Sequence, residues 1–301
     1  IKNSEKVNDF LTQPENFIKI KKFIQYGDST KVSYIIIKFN FYNYLQIKEK
    51  MDIYFKHIHL NSIRLDINRQ NALNQSQMYF KKENMCNKYI NVHFRNEPGI
   101  DGGGIAREWF AVVSNELAKS DAFKIAPNGN SLTINEHPND DYIYQFTGQF
   151  LGVVIQNKRN VKLNFTSFIW KKLLNIEITL EDMKDYDIEI YNSLKWISKN
   201  DPKPLMTTFV DMNDIELCEN GNNIELNNEN KNEYIQLMIE RILVNNNEKA
   251  LNNMREGFNK IVSNDNIKLF GPEDIKYLVN GIDIIDVNEW KHNTNYNNKK
   301  Q

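Results

Sequence analysis

The stretch EPGIDGGGIAREWF, residues 97–110, holds Gly102, Gly103 and Gly104 in succession. Glycines between a strand and a helix can bring backbone N–H groups against a phosphate. The spacing argues against that chemistry. With Gly102 and Gly104 as the first two glycines of a dinucleotide fingerprint, the third falls on Arg107, whose long side chain would hold helix and sheet apart. No Gly-Lys-Ser/Thr follows. The glycines read instead as a sharp corner. Asp101 sits at the helix entrance, where a carboxylate stabilises free N–H groups. Gly103, Gly104, Arg107, Glu108 and Trp109 complete a structural motif in which Arg107 and Glu108 fix neighbouring backbone or each other.

Thiol chemistry has two candidates, Cys86 and Cys218. Neither has a histidine or aspartate partner beside it in sequence, so neither reads as a nucleophile. Two distant thiols make no disulfide framework and point to a reducing compartment, cytoplasm or nucleus. His57 and His59 lack the further ligands a metal site needs. Glu181, Asp182, Asp185 and Asp187 lack the glycine turn and terminal Glu of a calcium loop, and read as a solvated helix entrance. The sequence calls for no metal and no cofactor.

The elements that must position these residues are mostly helical. The chain has 301 residues, 41% of them hydrophobic, with a formal net charge of -1. That is enough for one large domain or two medium ones, and the balance gives no footprint for nucleic acid. Asparagine is about 15% of the chain, a bias that reports genome composition or loop insertion rather than chemistry. The first thirty residues and residues 47–60 carry helical patterns, and Ile63–Ile67 a short strand. Residues 88–94 alternate Ile90, Val92 and Phe94 as a strand with one buried face. The helix after the corner places Ile105, Trp109, Val112, Val113 and Leu117 inward. Residues 122–134 read as a hairpin around Asn128-Gly129. Helices follow over 140–157, where Gly148 and Gly152 permit a close neighbour, and over 165–175. Two short helices occupy 179–201, with Thr179, Glu181 and Asp182 at a cap. One or two long helices fill 228–262, with Asn230 and Glu233 spaced as a capping box. A last helix over 269–281 stops at Gly281. This is an α+β, mainly helical chain without internal repeats.

One segment is anomalous. The apolar part of residues 31–46 is too short for a membrane span and holds Lys38. Val32-Ser33 and Leu45-Gln46 can be encoded by donor-like and acceptor-like splice codons, with residues of AT-rich translation between them. Residues 32–46 therefore read as an insertion from a retained intron, an idea that a transcript containing the segment would end. The chain opens on Ile1, shows no signal peptide, and reads as a piece of something longer.

Several ordered blocks resemble one family. VHFRNEPGIDGGGIAREWFAVVSNEL is similar to the N-terminal-lobe corner of HECT-type ubiquitin-protein ligases. The likeness continues through YQFTGQFLGVVIQNKRNVKLNFTSFIWKKLL, ITLEDMKDYDIEIYNSLKWISKNDP, ENGNNIELNNENKNEYIQLMIERIL, EKALNNMREGFNKI and LFGPEDIKYLVNGIDIIDVNEW. It covers roughly residues 60–295. Gln149, Met254 and Asn227 depart from the family's usual Arg, Phe and Thr.

The resemblance implies a bilobal transferase. Its C-terminal-lobe cysteine takes ubiquitin from a ubiquitin-conjugating enzyme as a thioester and passes it to lysines of protein substrates; a thiolate is both nucleophile and leaving group. The cysteine's Thr-Cys-Phe-Asn-like motif does not occur here, so the fragment alone is expected to be inactive. Residues 1–60 would be an N-terminal helical segment, residues 61–182 and 248–296 the large subdomain of the N-terminal lobe, and residues 183–247 a small subdomain that docks the conjugating enzyme. Matching groove positions are Ile190, Leu194, Ile197, Leu205, Thr207, Tyr234 and Met238, with Leu205 and Thr207 in a strand-like PLMTTF stretch. Spacing alone reads the same stripe as ordinary core, which leaves a non-catalytic protein-interaction domain as the alternative. Ubiquitin and protein substrates are the further partners implied; nucleic acid and membrane are not.

Overall fold

A computed structural model describes residues 45–56, 58–97, 103–135, 141–262 and 266–281. The helical pattern of the first thirty residues, Asp101, Gly102, His57 and nearly all of segment 32–46 lie outside them.

Helix α1 (Ile47–Phe55) stops short of the expected residue 60. Its buried Lys50 reaches Asp274 at 2.5 Å. Strand β1 (Asn61–Ile67) runs parallel to β2 (Lys88–Phe94), with Ile63 opposite Ile90 and Ile67 opposite Phe94. A parallel pair needs a crossover, and helix α2 (Ala72–Lys82) supplies it. Its buried positions are Ala72, Ser76, Gln77 and Phe80, a stripe too polar to announce itself by hydrophobic periodicity. Along β2 the inward residues are Ile90, Val92 and Phe94, as alternation requires.

The second edge of β2 is closed by side chains rather than a strand. Asn157 accepts the Ile90 N–H at 2.9 Å and donates to the Lys88 carbonyl at 3.0 Å. Gln156 accepts the Asn87 N–H at 3.0 Å.

Helix α3 (Gly104–Lys119) buries Trp109, Phe110, Val113 and Leu117, while Ile105 and Val112 are only half-buried. Strands β3 (Phe123–Ile125) and β4 (Leu132–Ile134) form the expected antiparallel hairpin. Helix α4 (Tyr142–Gln156) is buried from Ile143 to Gln156 except at Gln145. Helices α5 (Ser167–Leu173), α6 (Ile188–Lys199), α7 (Lys231–Ile239), α8 (Glu248–Ile261) and α9 (Pro272–Asn280) complete the architecture.

Helix α8 lies directly on α4. A Cβ on Gly148 would stand 1.8 Å from the Met254 carbonyl oxygen, and one on Gly257 1.9 Å from that of Gln145. Only glycines allow backbones so near. Tyr142 donates to Gln149 at 3.1 Å, and Met254 is fully buried, so two of the three departures from the family's usual residues are absorbed by the core.

Two local expectations are corrected. Asn230 and Glu233 form no capping box at α7: the Asn230 amide instead accepts from the Asn227 N–H at 2.8 Å and donates to the Glu225 carbonyl at 2.9 Å. The PLMTTF stretch is no strand. Lys203–Leu205 is a 3-10 turn, Met206 takes φ 46, and only isolated bridges join Thr208 to Glu225 and Val210 to Glu216. Two prolines, one of them Pro204 inside the stretch, remove ladder donors there.

Candidate functional site

At the corner, Gly103 stands at the helix N-cap with φ 94, a left-handed conformation that costs glycine nothing. The Arg107 N–H donates to the Gly103 carbonyl at 3.4 Å, beginning the helical ladder. Arg107 and Glu108 do not pair with each other. Glu108 accepts from Arg69 at 2.6 Å, and Arg69 grips both Glu97 oxygens at 2.7 Å. The same guanidinium lies 4.1 Å over the Phe94 ring. Hydrogen bonds to Glu97 and then Glu108 push the Arg69 pKa up, and Arg69 holds the Glu97 carboxyl below its usual range. Trp109 is fully buried and donates to Ser76 Oγ at 3.0 Å. Arg69 with Glu97 and Glu108, and Trp109 with Ser76, are therefore spent on one another. Arg69 was not visible as a partner in the sequence, because it lies 28 residues from Glu97 and 39 from Glu108.

The acidic cluster stands at helix entrances, as expected, but of the four only Glu181 is exposed. Asp182 is 3% exposed, accepts Lys171 at 2.5 Å, and accepts the Thr179 N–H at 2.7 Å. Asp185 accepts from the Ser167 N–H and hydroxyl at 2.7 and 2.8 Å. Asp187 caps α6 through the Glu189 and Ile190 N–H groups. The Cys86 thiol donates to the Ile261 carbonyl at 3.3 Å, and Cys218 is half-buried. Among the described residues, neither thiol shares a hydrogen bond with a histidine or carboxylate. Also among the described residues, His, Cys, Asp and Glu form no metal-binding group of three.

The seven groove candidates divide by exposure. Leu194, Ile197, Tyr234 and Met238 are buried, Ile190 and Thr207 half-buried, and Leu205 exposed. Helix α6 packs against α7, and the first four belong to the buried apolar core. Phe209 stands edge-on to Tyr234 at 5.5 Å. The Tyr234 hydroxyl donates to the Val210 carbonyl at 3.4 Å, and burial, then the charge of Asp211, pushes its pKa up.

Solvent meets a different set of apolar residues in this region. Met206, next to Leu205, is 92% exposed in left-handed backbone. Met212 and Ile215 are also exposed, on a loop that Asp211 closes by accepting the Asn213 and Ile215 N–H groups at 2.8 and 3.0 Å. Arg241 reaches the same carboxylate at 3.3 Å. Burial pushes the Asp211 pKa up, but those N–H groups and Arg241 outweigh it and hold the carboxyl below its usual range. Met206, Met212 and Ile215 escape a helical-periodicity reading because they lie on turns.

Residues 105–301 match the HECT-domain (ubiquitin-transferase) family. Over 260 residues, 79% of this chain, it is 31% identical to the E3 ubiquitin-protein ligase NEDD4 of Homo sapiens. It is 32% identical to the E3 ubiquitin-protein ligase Nedd-4 of Drosophila melanogaster over 275 residues, 83% of the chain. It is 28% identical to the E3 ubiquitin-protein ligase TOM1-like of Neurospora crassa over 255 residues, 78% of the chain. The chain belongs to the HECT-domain family. These matches span 19%, 27% and 6% of the three relatives' own lengths. Among the described residues, no helix is long and apolar enough to cross a membrane.

Proposed function

We propose that this chain is the docking platform of a HECT-type ubiquitin-protein ligase of the cytoplasm or nucleus. Residues 183–247 are the subdomain that receives a ubiquitin-conjugating enzyme, and residues 61–182 with 248–296 are the large subdomain that carries it. The parent protein accepts ubiquitin as a thioester on a cysteine outside these 301 residues and passes it to lysines of protein substrates. This chain supplies no nucleophile of its own.

The observation that carries the reading is the tip at Leu205–Met206. A methionine in left-handed backbone costs about 1–2 kcal/mol, and here it leaves the side chain almost wholly in water. Strain spent on exposing an apolar residue points to a partner. The tip follows α6, whose Leu194 and Ile197 form the groove floor with Tyr234 and Met238 of α7. Ile190 and Thr207 line its half-buried margin.

Burial of those four floor residues favours a second reading, an interaction domain that binds no conjugating enzyme. Titrating the chain with a panel of conjugating enzymes separates the two. Docking predicts micromolar affinity for a subset, about −8 kcal/mol, weakened by Tyr234→Ala. A folded chain that binds none supports the second reading.

A further inference from the structure

Residues 183–247 join the rest of the chain at two crossings, and the structure treats them differently. At the first, near 183–188, the turn between β3 and β4 takes hold of the backbone. The Asn128 N–H donates to the Tyr186 carbonyl at 3.0 Å, and its side-chain amide donates to the Asp185 carbonyl. The amide oxygen meanwhile accepts the Asn130 and Ser131 N–H groups at 2.9 and 3.2 Å, which folds the turn. Helix α5 adds Ser167 on Asp185 and Phe168 edge-on to Tyr186 at 6.0 Å.

The second crossing is a run of changing helix types. Helix α7 passes into a π turn over Glu240–Val244, a 3-10 turn over Asn245–Asn247, and then α8. Such changes of hydrogen-bond step mark places where a helix yields. Asn247 is buried there with its side-chain oxygen unpartnered.

We propose that Asn128 is a positioning residue: it grips the first crossing and so sets the orientation of the docking subdomain, while the π turn at the second crossing accommodates any movement. The proposal rests on the reading of residues 183–247 as that subdomain. The Asn128 side chain does two separable jobs: its oxygen builds the turn and its nitrogen holds the Asp185 carbonyl, beside a backbone N–H on Tyr186 that substitution leaves in place. Asn128→Asp keeps the oxygen and loses the donor, whereas Asn128→Ala loses both.

Residual dipolar couplings on the 301-residue chain, with amide exchange at Tyr186 and Asp187, test it. In the unsubstituted chain one alignment tensor should fit β1 to α5 and α8 together with α6 and α7. In Asn128→Asp the two groups should need different tensors, and exchange at Tyr186 and Asp187 should rise about tenfold, as loss of a hydrogen bond to a local opening predicts. Protection of the Trp109 and Phe150 amides should not change. A single tensor in Asn128→Asp, with unchanged exchange, overturns the proposal and leaves Asn128 as a turn former only. The couplings need no partner, so a chain that binds no conjugating enzyme sinks the docking reading without deciding this one.

Discussion

The glycine corner and the α6–α7 region both stand out in the sequence, yet the fold uses them in opposite ways. At the corner, Arg69, Glu97, Glu108, Ser76 and Trp109 satisfy one another across elements far apart in the chain. In the α6–α7 region buried core residues are accompanied by Leu205, Met206, Met212 and Ile215, which remain in water. A cluster of distinctive residues therefore does not identify a site. What separates scaffold from surface is whether the chemistry is already consumed inside the chain.

The contrast can be broken most severely in the scaffold, where α8 lies on α4. Gly257→Ala places a methyl 1.9 Å from the Gln145 carbonyl, and should destabilise the chain by about 3 kcal/mol or more in denaturant unfolding. A loss below about 1 kcal/mol would show that α4 and α8 separate easily. Ser76→Ala orphans the buried Trp109 N–H, and should cost about 1–3 kcal/mol.

Across the α6–α7 region the signature should reverse. Tyr234→Ala should weaken docking by about 1–3 kcal/mol, with some loss of stability because Tyr234 packs on Phe209. Met206→Ala removes a side chain that the fold hardly touches. Its unfolding free energy should stay within about 0.5 kcal/mol, while docking weakens by about threefold or more. Loss of stability without loss of binding would make the tip scaffold.

The smallest effect is one of pH. The Asp211 carboxyl lies below its usual range in the folded chain. Its stabilisation is complete above the unfolded value near 3.9 and is lost as pH falls through the lower folded value. The Met212–Ile215 loop should therefore hold its amide protection at pH 5 and loosen in acid below about pH 4. An Asp211→Asn chain should lack that pH step.

Much of this was legible in the sequence. Regular apolar spacing exposed the β2 alternation and, at Trp109, Val113 and Leu117, the stripe of α3, and two glycines four apart exposed the close approach at 148 and 152. Ordered motifs along the chain carried the family. Helix α2 was missed because Ser76 and Gln77 occupy its buried face. Arg69 was missed because its partners lie in other elements. The exposed Met206 and Met212 were missed because turn geometry, not periodicity, decides where they point. The Asn230–Glu233 cap failed because Asn230 had nearer partners in Glu225 and Asn227, a choice that residue spacing does not encode.

The most direct test is a chemical-shift map of this chain titrated with a panel of ubiquitin-conjugating enzymes. The docking account predicts saturable shifts for at least one enzyme, concentrated on Ile190, Leu205–Thr207, Met212–Ile215 and Tyr234, with the Gly103–Trp109 corner unmoved. Shifts centred on the corner, or none anywhere in a folded chain, would contradict it.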